Sequence, residues 1–202
     1  MIENKTLVKS FEVPPVSLRE VTGYALSRGD GETVGKIAEA VLAELPEIRN
    51  GRAVYRTVPV IISGESVSLG GIAVESSGLA KALQCCRYAV IMAVTAGIEF
   101  DRLIAKYSAI SGSRAHIISA VGSERVEAMA DAFCLALNGE FSEEGYSLTS
   151  RFSPGYGDFS LEFQRCLFSL LTPEKYIGLY LNESLLMSPS KSVTAIIGVK
   201  EK

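Results

Sequence analysis

Residues 151–158 read Arg-Phe-Ser-Pro-Gly-Tyr-Gly-Asp, and an amphipathic helical pattern follows them directly. Pro154 fixes its own φ angle and Gly155 can adopt a positive φ, so the pair predicts a type II turn. Ser153 and Tyr156 are the outer residues of that turn. The segment is therefore predicted to be a rigid turn that leads into a helix.

Charged residues flank the turn, with a cation at Arg151 and a carboxylate at Asp158. An arginine guanidinium suits a carboxylate ligand because it donates two parallel hydrogen bonds. Gly155 and Gly157 have no side chains, so a ligand can approach the backbone N–H groups closely. The segment thus predicts a site for an anionic or zwitterionic small molecule. The alternative is a surface turn without a ligand, which Pro-Gly pairs commonly build.

A second block of regularly spaced residues begins at Gly178. It reads Gly178-x-x-Leu181-x-Glu183-Ser184-x-x-Met187-x-Pro189, followed by Ser192-Val193. Together with Arg-x-x-Pro-Gly-Tyr at residues 151–156, this block resembles the activation domain of cobalamin-dependent methionine synthase. The matching residues run from Arg151 to about Val193. The chain before them resembles that family only in its layout of helices and strands.

The resemblance implies an α+β fold, with helices packed on a mainly antiparallel, twisted sheet. It also implies binding of S-adenosylmethionine, whose carboxylate would pair with Arg151 while Tyr156 faces the corrin ring of a partner. Glu183 and Ser184 would stabilise the site without contacting the ligand, with Glu183 buried and hydrogen-bonded to the turn that follows Arg151. A direct contact between Glu183 and the ligand stays open. The implied S-adenosylmethionine-binding residues are Arg151, Ser153, Pro154, Gly155, Tyr156, Gly157 and Asp158.

The function implied by the resemblance is reactivation of a separate corrinoid protein. Such a domain presents S-adenosylmethionine while a reductase such as flavodoxin supplies an electron, so that inactive cob(II)alamin is methylated. The chain contains no Asp-x-His-x-x-Gly motif for a cobalt ligand. We therefore expect the cobalamin to be carried by the partner, a corrinoid protein or a cobalamin-dependent methyltransferase such as methionine synthase. The chain would be a component of that methyltransferase system, with no catalytic side chain of its own because its contribution is positioning.

Two other functions stay open at this point. One is a non-catalytic binding module or regulator that recognises a corrinoid protein or S-adenosylmethionine. The other is a free-standing methyltransferase for a different acceptor, which is weaker because no residues that would activate an acceptor are identifiable.

Composition is that of an ordinary globular domain, with 202 residues, 48% hydrophobic and 21% charged. This length predicts one domain over residues 1–202, with an N-terminal helical region at about residues 15–50. The net charge of −3 and the scattered Lys and Arg residues argue against a nucleic-acid partner. The longest apolar run, Tyr88 to Ile98, is too short to cross a bilayer, and the N-terminus has no signal-peptide pattern. We expect a cytoplasmic protein without membrane contact.

The four cysteines do not suggest a metal site. No C-x-x-C pair occurs and the sequence has one histidine, so a zinc site lacks ligands. Cys134 and Cys166 fall on apolar helix faces and are predicted core residues. The adjacent Cys85 and Cys86 are predicted as neighbouring core positions at a helix end, and a redox role is the alternative.

Hydrophobic periodicity predicts helices alternating irregularly with strands, an order that favours α+β over regular βαβ units. Pro59 indicates an edge strand or a bulge, and Asn138-Gly139 is a typical helix stop. Asp158 or Ser160 is the predicted cap of the helix after the turn. The predicted helices lie at about 17–26, 34–45, 77–86, 100–107, 113–137 and 163–171, and the strands within 52–74 and at 88–95, 176–181 and 193–199.

Glu127 and Asp131 lie four residues apart in the long predicted helix and therefore on one face. Two carboxylates on one face can hold a cationic group, such as the amino group or sulfonium of S-adenosylmethionine. A solvated helix face is the favoured interpretation, because charged faces are common.

Overall fold

The computed structural model describes residues 5–25, 31–45 and 47–202. Within them a seven-stranded sheet has the order β4-β3-β2-β5-β9-β6, and β1 pairs with the first half of β2. All these pairings are antiparallel. The strands are β1 (Leu7–Glu12), β2 (Asn50–Ser63), β3 (Ser66–Leu69), β4 (Ile72–Glu75), β5 (Tyr88–Thr95), β6 (Tyr146–Phe152), β7 (Tyr180–Leu181), β8 (Met187–Ser188) and β9 (Ser192–Glu201), of which β7 and β8 form a separate hairpin.

Helices cover both faces of the sheet, which confirms the predicted α+β class. They are α1 (Leu18–Ala25), α2 (Gly31–Leu42), α3 (Ser77–Ala82), α4 (Glu99–Ser108), α5 (Gly112–Glu143), α6 (Phe163–Leu171) and α7 (Pro173–Ile177). The long α5 packs on one face through Met129, Phe133 and Leu137. On the other face α3 and α6 contribute Leu79 and Leu167 to a second cluster.

Strand β5 lies in the middle of the sheet and was predicted correctly, at Tyr88–Thr95. Its side chains alternate between the two cores: Val90 and Met92 pack under α5, whereas Ala89 and Ile91 pack under α6. Apolar residues are needed on both faces of such a strand, which explains the unbroken apolar run.

A third cluster joins α1, α2 and α4 to the N-terminal half of α5 through Val21, Ala38, Phe100 and Ile118. Helices α1 and α2 fall within the predicted helical N-terminal region at about residues 15–50, although Leu26, the break at 28–30 and the stop at Pro46 lie outside the described residues. No helix in the described ranges is both long enough and apolar enough to cross a lipid bilayer.

Several sequence-based boundaries are wrong. Helix α5 continues through Asn138-Gly139 to Glu143, and the stop is provided by Gly145 with φ of 86°. Strand β6 was not predicted. Most of the predicted strand at 176–181 is helix α7 and its end, leaving only Tyr180–Leu181 extended.

Two further predictions need correction. Pro59 lies in an interior strand, at the point where pairing with β1 has ended at Tyr55 and pairing with β3 begins at Val60. Between these two pairings neither β1 nor β3 is aligned with Pro59, so the N–H that proline lacks is not needed for a strand-to-strand hydrogen bond there. Of the adjacent cysteines, Cys86 is buried as predicted, but Cys85 is exposed.

Candidate functional site

The Pro-Gly turn has the predicted geometry. The Tyr156 N–H donates to the Ser153 carbonyl at 3.2 Å, and Gly155 has φ of 92°. A positive φ at the third position is what a type II turn requires. The turn is extended by Phe159, whose carbonyl accepts from the Gly155 N–H at 2.8 Å.

Phe159 anchors this turn in the core. Its side chain is 1% exposed, and its ring lies 5.9 Å from that of Phe152 and 5.2 Å from that of Phe163. These two neighbours belong to the end of β6 and the start of α6. The buried ring therefore holds the turn between the edge strand and the following helix.

Asp158 binds the start of α3. Its carboxylate accepts from the Ser76 hydroxyl at 2.6 Å, from the Ser77 N–H at 2.6 Å and from the Gly78 N–H at 3.1 Å. Hydrogen bonds from Ser76 and Ser77 hold the pKa of this carboxyl well below its ordinary value. The predicted cap of α6 is therefore wrong for Asp158, which instead stabilises a helix about 80 residues earlier in the chain. Ser160 accepts from the Glu162 N–H at 3.2 Å, at the start of α6.

A cavity of about 620 Å³ lies beside the turn, between α5, the end of β6 and the start of β9. Arg151, Ser153, Pro154 and Tyr156 are among its lining residues. The other predicted ligand-binding residues, Gly155, Gly157 and Asp158, are outside the lining that the described part of the chain forms. The remaining lining residues are Glu127, Asp131, Cys134, Thr149, Ser150, Phe152, Gln164, Met187, Ser192, Val193 and Thr194.

Arg151 meets the two acidic residues of α5 in this cavity. Its guanidinium Nη2 donates to Glu127 Oε2 at 3.0 Å and to Asp131 Oδ1 at 2.6 Å. Burial of the guanidinium lowers the pKa of Arg151. The hydrogen bond to Glu127 and the negative charges of Glu127 and Asp131 raise it by more, so the pKa lies above its ordinary value. The predicted shared face of Glu127 and Asp131 is confirmed. Both carboxylates contact Arg151, and the face is also open to solvent, since the Asp131 side chain is 73% exposed and the Glu127 side chain 39%.

The Glu183-Ser184 pair lies outside the cavity lining, within the residues that the structure describes. Both residues are exposed in the turn between β7 and β8. The Glu183 carbonyl accepts from Arg165 Nη2 at 2.8 Å. The burial predicted for Glu183 is therefore wrong, and a supporting role for the pair stays a prediction.

The cavity lining includes two polar residues that the sequence did not indicate, Thr194 and Gln164. The Ser153 hydroxyl donates to the Thr194 carbonyl at 2.7 Å, and the Thr194 hydroxyl donates to Gln164 Oε1 at 3.0 Å. Gln164 follows Phe163 on a helix whose apolar residues pack in the core. A polar residue beside this apolar face is the sequence feature from which Gln164 could have been predicted. These bonds link the turn, β9 and α6.

Large exposed apolar side chains surround the turn. Tyr156 is 69% exposed, Leu161 42% and Leu186 64%, and Leu186 precedes the cavity-lining Met187. Scattered surface apolar residues need no explanation, but Tyr156 lines the cavity and Leu161 lies beside Gly155 of the turn.

No protein-family model matches the sequence, and no curated protein matches it. The fold does have a solved counterpart, in the class of α+β reactivation domains. The crystal structure of the MetH reactivation domain bound to AdoHcy superposes with a TM-score of 0.68, covering 98% of this chain and 79% of that chain. The two sequences are 19% identical. The likeness confirms the fold that the sequence resemblance implied.

Proposed function

We propose that this protein binds S-adenosylmethionine in the cavity beside Arg151 and supports reductive methylation of cob(II)alamin on a separate corrinoid methyltransferase. The observation that carries the proposal is the meeting of one guanidinium and two carboxylates, from Arg151, Glu127 and Asp131, in a cavity next to a glycine turn. The solved counterpart of the fold was crystallised with AdoHcy, the demethylated form of the same ligand.

The charges of the site are complementary to an amino-acid group. Within the described residues Arg151 uses only Nη2 for its acidic partners, so the rest of its guanidinium fork is available there to the carboxylate of the ligand. The carboxylates of Glu127 and Asp131 are suited to the ligand's ammonium and sulfonium groups. A zwitterion thus finds both of its charges matched within one cavity.

The contribution of the protein to the reaction is positioning. Bound S-adenosylmethionine supplies an electrophilic methyl group. The turn from Ser153 to Phe159 is fixed at both ends, by the Thr194 carbonyl and by the buried Phe159 ring. Because the wall of the site is rigid, the ligand's orientation is set before the partner arrives, which is the condition for a large proximity effect.

The partner in this proposal carries the cobalamin and docks over the cavity mouth. The exposed side chains of Tyr156 in the cavity lining, Leu161 beside the turn and Leu186 next to the lining residue Met187 offer apolar surface to a large, mostly apolar ring system and its surrounding protein. The same apolar surface supports the alternative proposal, a non-catalytic module that recognises a corrinoid protein without transferring a methyl group.

Calorimetric titration with S-adenosylmethionine tests the ligand. We expect saturable binding by the wild type and a loss of about 1.5–3 kcal/mol, or about tenfold to a hundredfold in affinity, for Arg151→Ala, because hydrogen bonds to a charged group are removed. Arg102→Ala is the matched control, since Arg102 is an exposed arginine of α4 paired with Glu99. Its affinity should equal that of the wild type.

A reactivation assay separates the two functions. The protein is mixed with a corrinoid methyltransferase in the cob(II)alamin state, S-adenosylmethionine and a low-potential reductant, and the corrin absorbance is followed. Methylation that requires this protein supports the proposal. Binding of the ligand without any methylation supports the non-catalytic module, and absence of ligand binding up to millimolar concentration refutes the ligand site.

A further inference from the structure

Gln164 is a buried polar residue that the fold alone does not explain. It lies in the first turn of α6, is 5% exposed, and lines the same cavity as Arg151. Its neighbours Phe163 and Leu167 belong to the apolar core. Burying an amide in such surroundings costs free energy unless the group is used in hydrogen bonds.

One half of the Gln164 amide is used by the protein. Its oxygen Oε1 accepts from the Thr194 hydroxyl at 3.0 Å, and Thr194 is itself held through its carbonyl by Ser153. The amide nitrogen Nε2 donates to no group in the described part of the chain, and it is not among the fully enclosed polar atoms there. Since Gln164 lines the cavity and its oxygen is held by Thr194, the nitrogen is the part of the amide that is left to donate to a ligand there.

The sheet register places this donor away from the charged cluster. Arg151 pairs with Ile197 on β9, three residues from Thr194. At a rise of about 3.3 Å per residue the two positions are about 10 Å apart along the strand. Because Arg151 and Gln164 line the same cavity, a ligand of about this length with its carboxylate at Arg151 would bring its other end to Gln164.

We infer that the Gln164 amide recognises the nucleoside end of the ligand, by donating a hydrogen bond to a ribose oxygen or a ring nitrogen of the adenosyl group. This inference rests on the proposed function, since it takes the amino-acid end to be at Arg151. It assigns specificity for the two ends of the ligand to two separate pairs of elements, β6 with α5 for the amino acid and α6 with β9 for the nucleoside.

The test uses two neutral ligands, so that the sulfonium charge does not influence the result. S-adenosylhomocysteine has both ends, whereas 5′-methylthioadenosine lacks the amino-acid group. Gln164→Met removes the donor at similar length, and Gln164→Glu replaces it with an acceptor. We expect calorimetry to show affinity for both ligands reduced about tenfold, equivalent to about 1.4 kcal/mol, in each variant. Arg151→Ala should weaken only S-adenosylhomocysteine.

The possible results are distinguishable. If Gln164→Met binds both ligands like the wild type, the inference is overturned while the proposed function stands. If Gln164→Glu retains the affinity that Gln164→Met loses, the side chain acts as an acceptor and the donor assignment is wrong. If the wild type binds neither ligand nor S-adenosylmethionine, the proposed function fails and the inference fails with it.

A second variant covers the case in which replacement of Gln164 prevents folding, which circular dichroism would reveal. Thr194→Val keeps the shape of the side chain but removes the hydroxyl that orients the amide. We expect it to weaken both nucleoside ligands and to leave the ratio of their affinities unchanged. Unchanged affinity for both ligands in a folded Thr194→Val protein would overturn the inference.

Discussion

Two aromatic residues three positions apart in the turn should differ sharply when truncated to alanine. The Phe159 ring is 1% exposed and packs between Phe152 and Phe163, whereas Tyr156 is 69% exposed. Replacing a fully buried phenylalanine by alanine costs about 3–5 kcal/mol, from lost transfer free energy and the cavity that remains. Replacing an exposed side chain changes stability by less than about 0.5 kcal/mol.

The measurement is urea unfolding followed by far-ultraviolet circular dichroism, because the sequence contains no tryptophan. With an m-value of about 2 kcal/mol per molar urea, Phe159→Ala should lower the midpoint by about 2 M. Tyr156→Ala should leave the midpoint within about 0.3 M of the wild type. The difference measures how firmly the turn is anchored to the core.

The result that refutes this reasoning is a similar cost for both variants, or a cost below about 1 kcal/mol for Phe159→Ala. Either outcome would mean that the turn is not held through its buried ring. A folded Phe159→Ala protein should also bind S-adenosylmethionine more weakly than Tyr156→Ala does, because the turn loses its fixed geometry.

Three further predictions concern single groups. Hydrogen bonds, above all from Ser76, lower the pKa of Asp158 in the folded protein. The carboxylate therefore stabilises the fold above its ordinary pKa of about 4, and this stabilisation is lost as the pH falls toward the folded pKa. Thermal unfolding of Asp158→Asn should accordingly show a smaller loss of stability at acid pH than the wild type shows. Burial raises the pKa of the Cys134 thiol to about 11, so iodoacetamide at pH 8 should alkylate it more slowly than the exposed Cys85, as peptide mass spectrometry will show. Glu124→Ala should cost about 3–5 kcal/mol in urea unfolding, because the Arg125 guanidinium is 4% exposed and would lose its charged partner, keeping the carbonyls of Pro14 and Pro15.

The sequence predicts those parts of the fold that depend on local periodicity. Strand β5 is an unbroken apolar run, and the Pro-Gly turn is specified by two adjacent residues, so both were recognisable. Strand β6 was missed because its pattern is polar and irregular, with a register shift between Leu148 and Arg151. Helix α5 passes through Asn138-Gly139 because tertiary contacts override that signal, including a bond from the Leu148 N–H to the Asn138 side chain.

The site depends on contacts between distant parts of the chain, which periodicity cannot reveal. Helical spacing shows that Glu127 and Asp131 share a face, but only the packing of α5 beside β6 brings that face to Arg151. In the same way, Asp158 caps a helix that lies about 80 residues earlier. Residue types near the turn could therefore be predicted, whereas the partners of their side chains could not.

The charge of the cluster bears on which form of the ligand the site favours. The formal charges of Arg151, Glu127 and Asp131, which are joined by two ion pairs, sum to −1. On the proposed function, S-adenosylmethionine has a net charge of +1 and S-adenosylhomocysteine has none. Coulomb attraction therefore favours the methyl donor over its product, by an amount that screening by salt reduces because Asp131 is largely exposed. On the proposed function, such a site would hold the product less tightly than the methyl donor, since the transfer itself removes the charge that the carboxylates attract.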